Sequence, residues 1–208
     1  MKIITIDREF GSGGRELGKR LADALNIPCY DQKIIDEVAK LHGLSPEHID
    51  RISEADIRAV YPHTIGCRFA AIRPVSDDSI KVAVTQKSVI QRLAKQGDCV
   101  VVGRGADVIL KEEKPLNIFV YADQTSKLAR CLKRSKEKES WNEILRKMKN
   151  IDKNRAMYRE LFADTRWGCK ENYHLCVNTS GKEIKALIPA LADYVGCWFE
   201  NQSTEFGG

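Results

Sequence analysis

Three observations in the 208-residue sequence predict an α/β fold, with a parallel sheet of about five strands and helices on both faces. Short β-branched runs alternate with longer stretches at helical spacing along the whole chain. The run Cys99-Val100-Val101-Val102 is apolar throughout, as a central strand buried on both faces must be. A glycine-rich turn follows directly on the first strand-like run, and strands joined through helices make right-handed crossovers, which leave them parallel.

The elements follow in order. Ile3-Ile4-Thr5-Ile6 begins a strand, and Leu17, Leu21, Ala24 and Leu25 mark a helix after the glycine-rich turn. A short strand is expected at Ile27 to Tyr30. The helix after it carries Ile34, Ile35, Val38 and Leu41 on one face and closes at Gly43. Ser45-Pro46-Glu47 reads as another helix start. From Ser53 to Asp78 the periodicity is poor, with Pro62, Gly66 and Pro74 as punctuation, which predicts loops and short helices over the sheet edge. A helix from Ser79 to Gln96 ends at Gly97 and leads into the central strand. A short helix at Ala106 to Leu110, a strand at Leu116 to Tyr121 and one long helical stretch from Thr125 to about Phe162 come next. The last strand is expected at His174 to Val177, with a closing helix from Lys182 to about Phe199 and a disordered tail over 201–208.

Composition narrows the function classes. With 43% hydrophobic and 30% charged residues, the chain buries one sizeable core. A net charge of +5 suits an anionic ligand without naming nucleic acid. Seven cysteines lie far apart with no C-x-x-C pair, which argues for reduced thiols in the cytoplasm over a zinc site or a disulfide framework. The four histidines lack metal-ligand spacing, so no protein-bound metal is expected. Met1 and Lys2 run straight into a strand, so no signal sequence is expected, and no apolar run reaches membrane-span length.

The chemistry begins at the turn Arg8-Glu9-Phe10-Gly11-Ser12-Gly13-Gly14-Arg15-Glu16. A glycine-rich loop between a strand and a helix directs backbone N–H groups and the helix dipole at an anion. Gly11, Ser12, Gly13 and Gly14 are therefore the expected phosphate binders. Superimposed on G-x-x-x-x-G-K-[ST], the loop has Arg8 for the first glycine, keeps Gly13, and has Gly14 for the lysine. Arg15 is then the nearest cation to neutralise phosphate. A literal match from Gly13 to Lys19 would place Gly18 and Lys19 inside the helix with Leu17 and Leu21, and is rejected. A dinucleotide G-x-G-x-x-G would need glycine where Glu16 stands.

Read this way, the chain resembles the cytidylate kinase family, in its divergent cytidylate-kinase-like branch. The resemblance rests on Ile3 to Leu25, on Val102-Gly103-Arg104-Gly105 beside the family's Gly-Arg-Asp, on Leu128-Ala129-Arg130 with Lys133 and Arg134, on Asp152-Lys153-Asn154-Arg155 beside its Asp-x-x-Arg, and on Asn178-Thr179-Ser180. It implies a P-loop phosphotransferase with ATP on the loop, Mg2+, and a nucleoside monophosphate or related acceptor opposite. It also implies that Arg104 and Arg155 hold the acceptor phosphate, Asp152 its ribose, and Arg130 and Arg134 the transferring group, with Asp31 on the acceptor side. The chain departs from the family at Gly14, Glu16, Gly105, Gln32, Glu37 and Met148, which argues against CMP as the favoured acceptor. The expected organisation is a single domain over residues 1–200, with a mobile acceptor-side segment at about 45–80 and a helical lid at about 127–155.

Two other function classes are compatible with the sequence. The first is a nucleotide-binding regulatory protein with weakened catalysis, to which the missing lysine points. The second is nucleic-acid binding through the basic stretch from Lys127 to Arg155, where eleven Lys and Arg face four acids. That stretch has Trp141 as its sole aromatic before Tyr158 and no groove-reading motif, so small-molecule nucleotides are the expected partners. Oligomeric state has no signature in the sequence.

Overall fold

The computed structural model describes residues 1–49, 77–134, 140–160, 162–163 and 165–204. Five strands form one sheet: β1 Ile3–Arg8, β2 Cys29–Tyr30, β3 Cys99–Val102, β4 Leu116–Tyr121 and β5 Leu175–Asn178, in the order β2-β3-β1-β4-β5. Every neighbouring pair is parallel. The helices are α1 Gly14–Leu25, α2 Gln32–His42, α3 Asp77–Ala94, α4 Ala106–Ile109, α5 Gln124–Arg134, α6 Trp141–Glu160 and α7 Ile184–Thr204. Residues 46–49 are also helical.

Strand alternation distributes the core between two layers. On one face Ile3, Cys99 and Val101 meet Ile34, Ile35 and Val38 of α2 and Ile90 and Leu93 of α3. On the other, Ile4, Ile6, Val100, Val102 and Ile118 meet Leu17 and Leu21 of α1 and Ile188, Leu191 and Val195 of α7. Each such side chain contributes about 1.5–3 kcal/mol on burial. β1 lies at the centre with all six residues buried, so its C-terminal end, where the glycine-rich loop begins, is anchored on both sides. Gly18 brings α1 close to the sheet: a Cβ there would stand 2.7 Å from Val102 Cγ2. Lys19, beside it, is exposed.

Two segments differ from expectation. The long helical stretch is two helices, because Ser140 and Glu143 start α6 with a capping box. The Glu143 N–H donates to Ser140 Oγ at 3.3 Å, and the Ser140 N–H donates to Glu143 Oε2 at 2.8 Å. The closing helix continues to Thr204 instead of ending near Phe199, and 205–208 lie outside the described residues. Most of the acceptor-side segment expected over 45–80 also lies outside them.

α5 and α6 close on a small core of their own, Leu128, Ile144 and Met148, with Phe10 of the loop packed against it. Met148, which stands where the resembling family has a phosphate-binding arginine, is therefore a packing residue here.

Candidate functional site: a phosphate loop facing an arginine-lined cleft

The loop 9–13 is held by side chains from three elements. The Asp152 carboxylate of α6 accepts from the Phe10 N–H at 2.7 Å, and Arg155 Nη1 donates to the Arg8 carbonyl at 3.0 Å. Lys127 of α5 pairs with Glu9 at 2.8 Å, and Thr179 after β5 donates to the Ser12 carbonyl at 2.7 Å. Arg130 of α5 reaches the same carbonyl at 3.3 Å and also donates to the Thr179 carbonyl at 2.5 Å and that of Lys182 at 3.1 Å. These contacts use up the loop's carbonyls and its first amides. The N–H groups of Gly11, Gly13, Gly14 and Arg15 have no hydrogen-bond partner among the described residues. Gly13, at φ 86°, turns the chain into α1 so that these donors cluster at the helix N-terminus.

Glycines also make room here. A Cβ on Gly13 would stand 2.6 Å from Ile184 Cδ1, and one on Gly11 would stand 3.0 Å from the Lys127 carbonyl. A Cβ on Gly14 would strike the stem of Arg8, 2.9 Å from its Cγ and nearer still to its Cβ. The Arg8 guanidinium lies against Gly103 at the end of β3, where a Cβ would fall onto Nη1.

Beyond Arg8 lies a small cleft, continuous with solvent, lined by Asp7, Arg8, Arg104, Gly105, Arg155, Tyr158 and Arg159. Arg104 sits there at φ 64°, between Gly103 at 69° and Gly105 at 63°. A left-handed non-glycine backbone costs about 1 kcal/mol or more and is typical of residues held in place for function. The Arg8 guanidinium is 6% exposed, and its pKa is lowered to about 10, first by burial and then by Arg155. Arg159 donates to Asp107 Oδ2 through Nε at 3.1 Å and Nη2 at 2.5 Å. Burial, followed by the nearby Asp7, nonetheless raises the Asp107 carboxyl to about 6. Tyr173 donates to Asp7 at 3.1 Å. The Tyr158 hydroxyl is buried with no hydrogen-bond partner among the described residues, and burial raises its pKa. A cleft lined by four guanidiniums, one carboxylate and the Tyr158 hydroxyl suits an anion that also accepts a hydrogen bond.

Arg104 and Arg155 line the same cleft, Arg155 also bonds the backbone where the glycine-rich loop begins, and Asp152 bonds the loop one turn away on α6. Its carboxyl is raised by burial, against the pull of the Phe10 amide and Arg155. Asp152 and Arg155 bond the loop backbone directly. Arg15 stands apart: it is 59% exposed and pairs with Asp31 at 2.5 Å, across from the loop's inner side. Arg134 pairs with Glu16 at 3.0 Å, and Arg20 takes the other oxygen of Glu16 at 2.9 Å. Glu37 pairs with Arg92 of α3, and Gln32 bonds Asp36 on its own helix. Sequence reasoning passed over Arg8 as a cation, and over Asp107, Arg159 and Thr179 as site residues. The paired departures at 8 and 14 were the available signal for Arg8. Nothing local links Asp107 to Arg159, 52 positions on.

The loop fits a polyphosphate, with a row of unpaired amides and a buried guanidinium adjoining it. Glu16 is held by Arg20 and Arg134, so Mg2+ on the phosphates would have to take its few protein ligands elsewhere at the loop.

Comparison with known proteins agrees with this geometry. No curated protein matches the chain. Among solved structures, an uncharacterized protein from Eubacterium ventriosum superimposes with a TM-score of 0.68 at 25% identity, covering 94% of this chain and 99% of that one. A shikimate kinase from Bacteroides thetaiotaomicron gives 0.57 at 12% identity over 94% and 98% of the two chains. A gluconokinase from Sinorhizobium meliloti gives 0.53 at 16% over 99% and 97%. These neighbours share the five-stranded kinase fold. The model of the cytidylate kinase-like family matches residues 3–181, and the chain belongs to that family.

Proposed function

We propose that the protein is an ATP-dependent phosphotransferase that moves the γ-phosphoryl group to a nucleoside monophosphate or a related small anionic acceptor. One observation carries the reading: the amides of Gly11, Gly13 and Gly14, unpaired among the described residues, lie on the loop that begins at Arg8, and Arg8 also lines a cleft with Arg104, Arg155 and the Tyr158 hydroxyl. Phosphoryl transfer needs positioning and dispersed positive charge more than a covalent residue, and the clustered guanidiniums support the reading on the second count. The loop amides hold the donor phosphates. Arg104 and Arg155, with Tyr158, orient the acceptor, and Asp152 keeps the loop in shape. Arg130 and Arg134 are joined to the loop and to Glu16, so closure of α5 and α6 over the donor moves them with it. Arg15 with Asp31 borders the acceptor side.

Glu37 and Met148 occupy positions at which the family resemblance would place arginines, and both are engaged elsewhere, in an ion pair and in a packed core. CMP is accordingly expected to be a poor acceptor. The test is transfer of labelled γ-phosphate from ATP across a panel of nucleoside monophosphates and small hydroxy acids. Label on at least one acceptor, with CMP not the best, supports the reading. Tight ATP binding with no transfer across the panel would replace it with a nucleotide-responsive regulatory protein, which the absent loop lysine favours.

A further inference from the structure

We infer that Arg8, the last residue of β1, is the catalytic cation of this loop and does from the strand what a lysine at position 14 does from the helix in the ordinary pattern. The inference rests on the kinase reading above.

Space is the first argument. Residues 8 and 14 direct their side chains into one volume, since a Cβ on Gly14 would meet the Cβ and Cγ of Arg8. The Arg8 Cβ is fixed by the backbone and cannot swing aside, so without a backbone shift only one of the two positions can bear a side chain. G-x-x-x-x-G-K puts glycine first and the cation seventh. This chain has exchanged them, with Arg8 first and Gly14 seventh. The two departures are therefore one coupled change.

The far end of Arg8 has been accommodated as well. Gly103 leaves free the spot where a Cβ would collide with the Arg8 guanidinium, and that guanidinium lines the cleft next to Arg104 and Arg155. Arg8 is almost fully buried, and no carboxylate among the described residues forms an ion pair with it. Asp7 and Asp31 act on it only at longer range, against Arg155 and Arg104. A buried guanidinium without a bonded counter-charge is costly, and the cost falls when an anion arrives. The unpaired loop amides mark where that anion lies, and Arg8 begins at the same loop. A terminal phosphate held by the amides and by Arg8 satisfies both sets of donors.

In the assay chosen, water takes the place of the acceptor. Its oxygen forms the new bond to the γ-phosphorus as the bond to the β,γ-bridging oxygen breaks, giving ADP, inorganic phosphate and a proton released to the buffer. Arg8 stays protonated throughout and donates hydrogen bonds to the charge that develops.

The experiment measures ATP hydrolysis, together with the affinities for ATP and ADP, in wild type, Arg8→Gln, Arg8→Gly, Gly14→Lys and the double variant Arg8→Gly/Gly14→Lys. Arg8→Gln and Arg8→Gly should each lose about a hundredfold in turnover, the usual effect of removing one transition-state donor. Both should lose the preference for ATP over ADP while ADP affinity changes by less than about threefold. The double variant should recover at least about tenfold over Arg8→Gly, because lysine then enters the vacated space. Gly14→Lys alone, with Arg8 in the way, should gain nothing. The inference is overturned if Arg8→Gln keeps wild-type turnover and ATP preference. It is equally overturned if the double variant binds ADP yet shows no recovery. Should Arg8→Gly lose ADP binding, the isosterically milder Arg8→Gln decides. Wild-type protein that binds no ATP refutes the kinase reading and this inference together. Wild-type protein that binds ATP but neither hydrolyses it nor transfers phosphate to any acceptor of the panel refutes the kinase reading alone, and the ATP-over-ADP preference then decides on Arg8.

Discussion

Tyr158 shows what a single residue reveals about this site. A buried hydroxyl with no partner among the described residues carries a desolvation cost of roughly 1–3 kcal/mol, and a phenylalanine in its place would avoid it. Tyr158→Phe should therefore leave the melting temperature unchanged or raise it, while the KM for the acceptor rises about tenfold, as expected when a hydroxyl is kept for a ligand. Thermal melts and initial-rate kinetics on the same preparations check this, and a lower melting temperature would make the hydroxyl structural. Arg15 gives the opposite case. Its pair with Asp31 is exposed on the arginine side, so Arg15→Ala should cost less than about 1 kcal/mol in stability. Its kinetic effect should appear in acceptor KM more than in turnover, because its guanidinium is directed at Asp31. A collapse of turnover at unchanged KM would return Arg15 to the loop's chemistry.

At the scale of elements, the loop depends on side chains sent to it from α5, α6 and the turn after β5. Thr179→Val removes the donor to the Ser12 carbonyl and should cost about 1–2 kcal/mol in stability. It should also weaken ATP binding, since the loop amides lose their fixed spacing; calorimetric titration reads this directly, and unchanged affinity would show that the loop holds its shape without Thr179. Much of this was legible in the sequence. Gly11, Gly13 and Gly14 stand out at a first strand-to-helix junction, whereas Asp152 and Arg155 stand out only through the family resemblance, as acceptor residues, and their bonds to the loop backbone needed coordinates to be seen. The break between α5 and α6 was legible too, in Ser140-Trp141-Asn142-Glu143, but the continuous basic periodicity on either side hid it. Arg159 with Asp107 was not legible, because tertiary packing alone brings a β3–β4 connection against the end of α6. The coupled exchange at 8 and 14 needed coordinates to be seen as one event, since sequence shows two losses and only geometry shows that they share a space.

Over the whole molecule, the sheet brings the ends of β1, β3 and β4 to one edge, and the charge of the protein is organised there. Among the described residues no helix is long and apolar enough to cross a membrane. Asp107 links that edge to folding stability. Its folded pKa is raised to about 6 by burial and by Asp7, from about 4 in the unfolded chain. Between those values the folded state binds more protons than the unfolded one, so this group's contribution falls as pH rises from about 4 to about 6 and is level above that. Relative to Asp107→Asn, which is neutral throughout, wild type should lose on the order of 3 kcal/mol across that window. Urea unfolding at several pH values measures it, and a difference that grows with pH in the other direction would contradict the environment described for Asp107.

The central claim is that this loop binds the phosphates of ATP, and a crystal structure of the protein grown with a non-hydrolysable ATP analogue tests it most directly. The account predicts phosphate oxygens on the amides of Gly11, Gly13 and Gly14, with the terminal phosphate within hydrogen-bonding distance of the Arg8 guanidinium. An analogue bound elsewhere, with the loop sealed by its own side chains, would contradict it.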